Sequence, residues 1–323
     1  MANLTASGVK ALRRLAGKNT ALERYARRQR NRARFALRDR FRRRDVYVFR
    51  NATSPRFGVY AFGACDLWSV VGAGELLARE FRGTGAVLKV GGVSRARTDI
   101  LLQTLKDLPA GHTAQVTERL GLSSTYFEPE LFSPSFSIPD HAHVGEFAKQ
   151  VVILSIAADL TRSIYEHKEL GFLVDPGGWW LEQSMDRVLA SLDSATWFAR
   201  TFRKVGRLGV DDFHENMGRL IPAIRSRTGA EVLVLNSLVV EPGHRGYSYH
   251  LVTDPHVRRR HEFNLALADL ARRLDFGIVD VDRLCKSVGV SGQADFVHFT
   301  SEQKARIAQE VAAICHDRGL LRR

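Results

Sequence analysis

The sequence predicts an α/β protein: a three-layer α/β/α sandwich around a mostly parallel five-stranded sheet, preceded by a basic helical N-terminal extension. Three observations lead there. Five short, almost uninterrupted apolar runs stand at 59–62, 86–90, 151–155, 232–236 and 277–281. Such continuity marks strands buried on both faces, as in a parallel sheet. Longer amphipathic segments separate them, at 67–81, 95–105, 182–205, 211–227, 256–274 and 301–318, so strand and helix alternate and right-handed crossovers follow. Finally, the formal charge of +13 is not spread over the 323 residues. Residues 1–44 hold 15 Lys and Arg against Glu23 and Asp39, while the remaining 33 basic and 33 acidic residues cancel.

The chain therefore divides into a basic extension, 1–45, and an electrically balanced α/β body, 46–323. In the extension Ala33, Leu37 and Phe41 recur at helical spacing while arginines point almost everywhere else. It reads either as a helical stripe packed on the body or as a handle for an acidic partner: a nucleic-acid backbone, an anionic membrane or an acidic protein. Arg13-Arg14-Leu15 is followed by more arginine and not by an apolar signal core. No stretch approaches the ~20 apolar residues of a membrane span. Cys65, Cys285 and Cys315 are too few and too scattered for a disulfide framework, and a reducing cytoplasm is the expected compartment.

Two inserts interrupt the body's rhythm. Residues 109–144, rich in Gly, Ser and Pro, form an unusually long connection expected to cover a site or carry small helices. Residues 170–180 suggest a second loop, with Trp179 and Trp180 either lining a pocket or capping the core. Gly72-x-Gly74 and Gly83-x-Gly85 lack the strand-to-helix setting of a dinucleotide site, and His141-x-His143 lacks companion ligands, so neither a cofactor nor a metal is expected.

Ligands of open parallel sheets collect beyond the carboxyl ends of the strands. That rule draws attention to Cys65 in VYAFGACDLW, where a strand gives way to a helix. Helix-start N–H groups favour a thiolate there, and the adjacent Asp66 opposes one. The alternative is a small residue packing a turn. Near the far end, ADFVHFTSEQ sets Asp295 three residues before His298, ahead of a helix with Thr300 as expected N-cap. A carboxylate so placed can fix the imidazole tautomer and leave the other nitrogen as a general base. Tyr247, His250, Asp254 and His256 cluster with Arg258, Arg259 and Arg260 after the fourth strand, near the same sheet edge. An arginine there could hold a carboxylate or phosphate, or belong to a solvated helix start.

Order and context together resemble the SGNH, or GDSL-type, hydrolases, over most of 46–318. FGACDL stands where that family has FGDSL, which aligns Cys65 with the nucleophilic serine. VLKVGGVSRARTDILLQTL resembles the second conserved block, with Gly92 at the glycine that donates a backbone N–H to the oxyanion. VVILSIAADL resembles the third block, and ADFVHFTSEQKARIAQEV the closing one, with Asp295 and His298 on the catalytic pair. The resemblance implies a flavodoxin-like sheet, a Cys65–His298–Asp295 triad, and an oxyanion or substrate-binding region including Gly92, Asp66 and Asp159. It implies a small-molecule or carrier-bound acyl substrate, and the arginine-rich extension could dock an acidic acyl carrier protein. Two departures stand out: cysteine replaces the serine, and Ala158 replaces the asparagine of Gly-x-Asn-Asp, removing an oxyanion donor. Three readings follow: Cys-dependent acyl transfer or (thio)ester hydrolysis, a GDSL-type esterase of carbohydrates or small molecules, and a binding module without chemistry.

Overall fold

Each of the five apolar runs forms a strand, and all five pair in parallel in one sheet. The computed structural model describes residues 46–48, 57–71, 80–81, 86–90, 96–106, 108–122, 126–127, 149–177, 185–189, 192–239, 257–289 and 298–321. The basic extension lies outside the described residues, as do Gly92, Asp295, both His141 and His143, Trp179, Trp180 and the 247–256 cluster.

In chain order the elements are β1 (Val46–Val48), β2 (Phe57–Phe62), α1 (Cys65–Val71), β3 (Ala86–Val90), α2 (Thr98–Gln103) and α3 (Ala110–Leu120). Next come β4 (Lys149–Ser155), α4 (Ala157–Thr161), β5 (Ile164–His167), β6 (Leu173–Val174), α5 (Met185–Val188), α6 (Leu192–Thr201) and β7 (Phe202–Gly206). The chain continues with α7 (Val210–Thr228), β8 (Glu231–Leu235), α8 (Val257–Leu274), β9 (Gly277–Val279), α9 (Val281–Val288) and α10 (Ser301–Asp317).

The main sheet runs β1-β3-β2-β4-β8-β9. Counting only the parallel strands, the spatial order is 2-1-3-4-5, the flavodoxin-like arrangement, whose direction of travel reverses between β2 and β4. The sheet has one strand more than the five expected. β1 pairs antiparallel on β3 through only three residues, Val46–Val48, too few to show a periodic signal in sequence.

Strand periodicity divides the core in two. Val59, Ala61, Val151, Ile153, Leu233 and Leu235 turn to one face, against Leu67 of α1, Leu284 of α9 and Ile307 and Val311 of α10. Tyr60, Phe62, Val152, Leu154, Val232 and Val234 turn to the other, against Leu101 of α2, Phe213 and Leu220 of α7 and Phe263 and Leu267 of α8. Burying each such large apolar side chain contributes about 1.5–3 kcal/mol. Helices on both faces make the three layers.

The sequence pattern misreads one region. A single helix over 182–205 was expected; instead α5 and α6 are followed by β7, the edge of a small antiparallel sheet ordered β6-β5-β7. Phe198 and Phe202 stand four apart, as on a helix face, yet their rings stack at 4.7 Å across the junction of α6 and β7. Pairing with β5 overrides the helical signal, because Phe202 closes a third, separate core with Ile164, Phe172 and Phe198. Of the two expected inserts, the first contains α3 and the second contains β6. The small sheet joins the main body through polar contacts: Gln103 Nε2 donates to Leu173 O at 3.0 Å, and Arg97 Nη1 donates to Gly206 O at 2.6 Å.

Among the described residues, no helix is long and apolar enough to cross a membrane.

Candidate functional site

Three strands of the parallel sheet end in polar residues, and those ends meet. β2 runs into Gly63-Ala64 and then α1, whose first residue is Cys65. Gly63 permits the close approach: a Cβ there would lie 2.5 Å from Leu67 Cβ and 3.0 Å from Ser155 Cβ. β4 ends in Ser155, beside the start of α4. β8 ends before Asn236 and Ser237. Between these ends lies a concavity lined by Cys65, Asp66, Ala157, Asn236, Arg260 and Phe299, among others. It sits at the reversal between β2 and β4, where doubly wound sheets take their ligands.

The walls are held by hydrogen bonds. Ser155 Oγ donates to Asp66 Oδ2 and accepts from Ala157 N–H at 3.2 Å. Asn264 brackets Ser237, accepting from its N–H at 3.0 Å and donating to its carbonyl at 2.7 Å. Asn236 Nδ2 donates to Asp280 Oδ1 at 2.8 Å, and its Oδ1 accepts from Asp282 N–H at 3.1 Å. Val239 N–H donates to Asp282 Oδ1 at 2.7 Å. The strand-end segment 236–239 is thereby fixed at each residue but Leu238, whose carbonyl accepts from Arg260 Nη1 at 2.8 Å. Such bracing holds a site's geometry before any ligand arrives.

Asp66 is buried, which pushes its carboxyl up from the ordinary range, against the opposing hydrogen bonds from Ser155 and the helix backbone and the charge of Arg260. Arg260, 4% exposed, is pushed down to about 10 by burial, with Asp66 and Asp282 acting the other way. It stays cationic at neutral pH.

The residues singled out from sequence separate into three groups. Cys65, half-buried, and Asp66 both line the concavity. His298, half-buried, immediately precedes Phe299, which lines the same concavity, and Thr300, which caps α10 by accepting from Gln303 N–H at 3.4 Å. The N-cap falls where expected, but the reciprocal arm is absent: the Gln303 amide is fully buried and makes no hydrogen bond among the described residues. Asp159, also fully buried, does not line the concavity. Its Oδ1 accepts from Thr98 N–H and Oγ1 at 2.8 and 2.7 Å, so it holds the start of α2. Burial pushes its carboxyl up to about 7, against those two bonds. Ala158 packs with Ala64 and Ala96 and offers no side-chain donor.

Sequence reasoning overlooked Ser155, Asn236 and Ser237. Their signal was present: in VVILS and VLVLNS a polar residue breaks an apolar run at its carboxyl end, as Cys65-Asp66 does after VYAF.

No family model matches the chain, and no curated protein sequence matches it. Among solved structures, it is similar to the lipase/acylhydrolase from Enterococcus faecalis, with 13% identity, a TM-score of 0.41, and coverage of 81% of this chain and 96% of that one. The aryl esterase of M. smegmatis is similar at 12% identity and a TM-score of 0.40, covering 80% and 98%. A carbohydrate acetylesterase from Sinorhizobium meliloti is similar at 13% identity and 0.40, again covering 80% and 98%. The fold assignment rests on this chain's own sheet order and two-faced core.

Proposed function

We propose that the protein is a cysteine-dependent acyl enzyme of the SGNH type, transferring or hydrolysing an activated acyl group, a thioester or ester on a small molecule or a carrier. The observation that carries the reading is the shared concavity: Cys65 opens α1 on one wall, and Phe299, next to His298, forms another. In this reading His298 takes the Cys65 proton and Asp295 orients the imidazole. The thiolate attacks the acyl carbonyl carbon, a C–S bond forms, and the alcohol or thiol leaves with the proton from His298. Water, or an acceptor hydroxyl or thiol, then attacks the acyl-cysteine and restores the thiol. Without an asparagine at Ala158, the oxyanion depends on backbone donors such as Gly92 N–H, and one lost donor costs about 100- to 1000-fold in rate. Thioesters suit such a site, because exchange between sulfurs is nearly balanced and needs less oxyanion stabilisation.

The test is an acyl adduct. Incubation with an activated thioester is expected to add one acyl mass at Cys65, and Cys65→Ala and His298→Ala are expected to lose it. Equal labelling of wild type and Cys65→Ala would remove the nucleophile from the proposal. A second reading, a binding module without chemistry, is favoured by Ala64 and Ala158, which stand where the resemblance calls for Asp and Asn and pack together with Ala96. It predicts no adduct on any of the three proteins.

A further inference from the structure

A tetrahedral acyl intermediate needs hydrogen-bond donors around its oxyanion. The turn that opens α4 offers no side-chain donor, because Ala157 and Ala158 stand there, and the Ala157 N–H is taken by Ser155 Oγ at 3.2 Å. The neighbouring strand end supplies a hydroxyl. β4 and β8 pair in parallel up to Ser155 with Leu235, so Ala157 and Ser237 each lie two residues past that rung, on adjacent strand ends. Such neighbours run about 4.8 Å apart. Ser237 lines the concavity together with Ala157 and Cys65.

The surroundings of Ser237 fix all of it except one proton. Its N–H donates to Asn264 Oδ1 at 3.0 Å, and its carbonyl accepts from Asn264 Nδ2 at 2.7 Å. Its Oγ accepts from Arg260 Nη1 at 2.8 Å. Among the described residues, the acceptor nearest the hydroxyl proton is Leu238 O, at 3.4 Å, longer than the roughly 2.5–3.0 Å of a good O–H···O bond. That carbonyl already accepts from Arg260 Nη1 at 2.8 Å. The other hydroxyl on the lining is committed: Thr161 donates to Ala157 O at 2.6 Å. Asn236 likewise directs Nδ2 to Asp280 at 2.8 Å. Ser237 is therefore a hydroxyl only 6% exposed, with a clamped backbone and a loosely held proton. Accepting from a guanidinium also makes an O–H a better donor, since linked hydrogen bonds polarise one another.

We propose that Ser237 is a catalytic residue of the acyl-enzyme reaction: its hydroxyl donates to the acyl carbonyl oxygen as that oxygen gains charge, the role that no side chain at Ala158 can fill. This deepens the acyl-enzyme reading and rests on it for the intermediate. The thiolate sulfur bonds to the carbonyl carbon, the C=O π pair moves onto oxygen, and the Ser237 proton bridges to that oxygen while staying on Oγ. When the alcohol or thiol leaves, the pair returns and the hydroxyl is released unchanged.

The test sets acylation against alkylation of one sulfur. Iodoacetamide loses iodide from a saturated carbon and forms no oxyanion, so it reads the thiol alone. An acetyl thioester needs the thiol and the oxyanion donors together. Both are followed by mass on the Cys65 peptide, since Cys285 and Cys315 are buried. Ser237→Ala is expected to slow acylation at least about tenfold, the worth of one charge-assisted hydrogen bond, and to be alkylated as fast as the wild type. Ser237→Cys, close in shape but a weak donor, is expected to show the same split, which stays readable if the alanine variant fails to fold. Acylation at the wild-type rate in either folded variant overturns the role. So does an equal fall in acylation and alkylation, which would make Ser237 a support for Cys65 and not a donor to substrate. A wild type that is alkylated at Cys65 but never acylated overturns the acyl-enzyme reading itself, and the donor role with it.

Discussion

Two buried arginines in this molecule look alike by burial and differ in consequence. Arg97, 1% exposed, lies in the seam between the main body and the small sheet. Its Nε and Nη2 grip Asp99 at 2.9 and 2.6 Å, and Nη1 donates to Arg162 O and Gly206 O. Arg260 lies beside the concavity and donates to neutral oxygens at a strand end. Burial alone does not tell a structural cation from a site cation. Place in the fold does: Arg97 grips a carboxylate and two carbonyls across the seam, whereas Arg260 ties a strand end to the wall of the concavity.

The comparison is sharpest where its effect is largest. Arg97→Met leaves Asp99 and two carbonyls without their donor, and chemical denaturation is expected to register a loss of about 3–5 kcal/mol. Arg260→Met is expected to cost less stability and to act instead on acylation of Cys65. A reversal of that ranking would break the distinction drawn between the seam and the concavity. Gly63→Ala probes the turn that leads from β2 into the concavity's lining. The added methyl meets Leu67 and Ser155, and overpacking is expected to cost about 1–3 kcal/mol while changing the alkylation rate of Cys65.

Asp159 probes the seam through pH. Burial pushes its folded carboxyl from the ordinary 3.8 up to about 7. The native state therefore keeps a proton that the unfolded chain releases. The associated stability is fully present below 3.8 and is lost as pH rises toward about 7, with a slope of at most about 1.4 kcal/mol per pH unit. Asp159→Asn is expected to flatten that part of the stability–pH curve. An unchanged curve would show that the Thr98 bonds, not burial, dominate the carboxyl.

The five parallel strands were legible because each is a short continuous apolar run, a signal that requires no knowledge of its neighbours. β1 was not, being three residues long, and neither was β7, whose Phe202 fits a helical spacing equally well. The same distinction holds at the site. Cys65 and Asp66 announce themselves by following a strand, but Asp159 belongs to the seam, a fact that only its bonds to Thr98 reveal.

From sequence alone came the alternation of strand and helix, the balanced body behind a basic extension, and Cys65 at the end of the first apolar run. These are local properties, written in the order of side chains along the chain. Tertiary structure decided which strand ends meet, which acid is buried, and which of three adjacent arginines faces the cavity. Those outcomes depend on directions and distances between segments as far apart in the chain as Cys65 and Phe299, where desolvation and partner choice, not composition, set the surroundings that a ligand encounters.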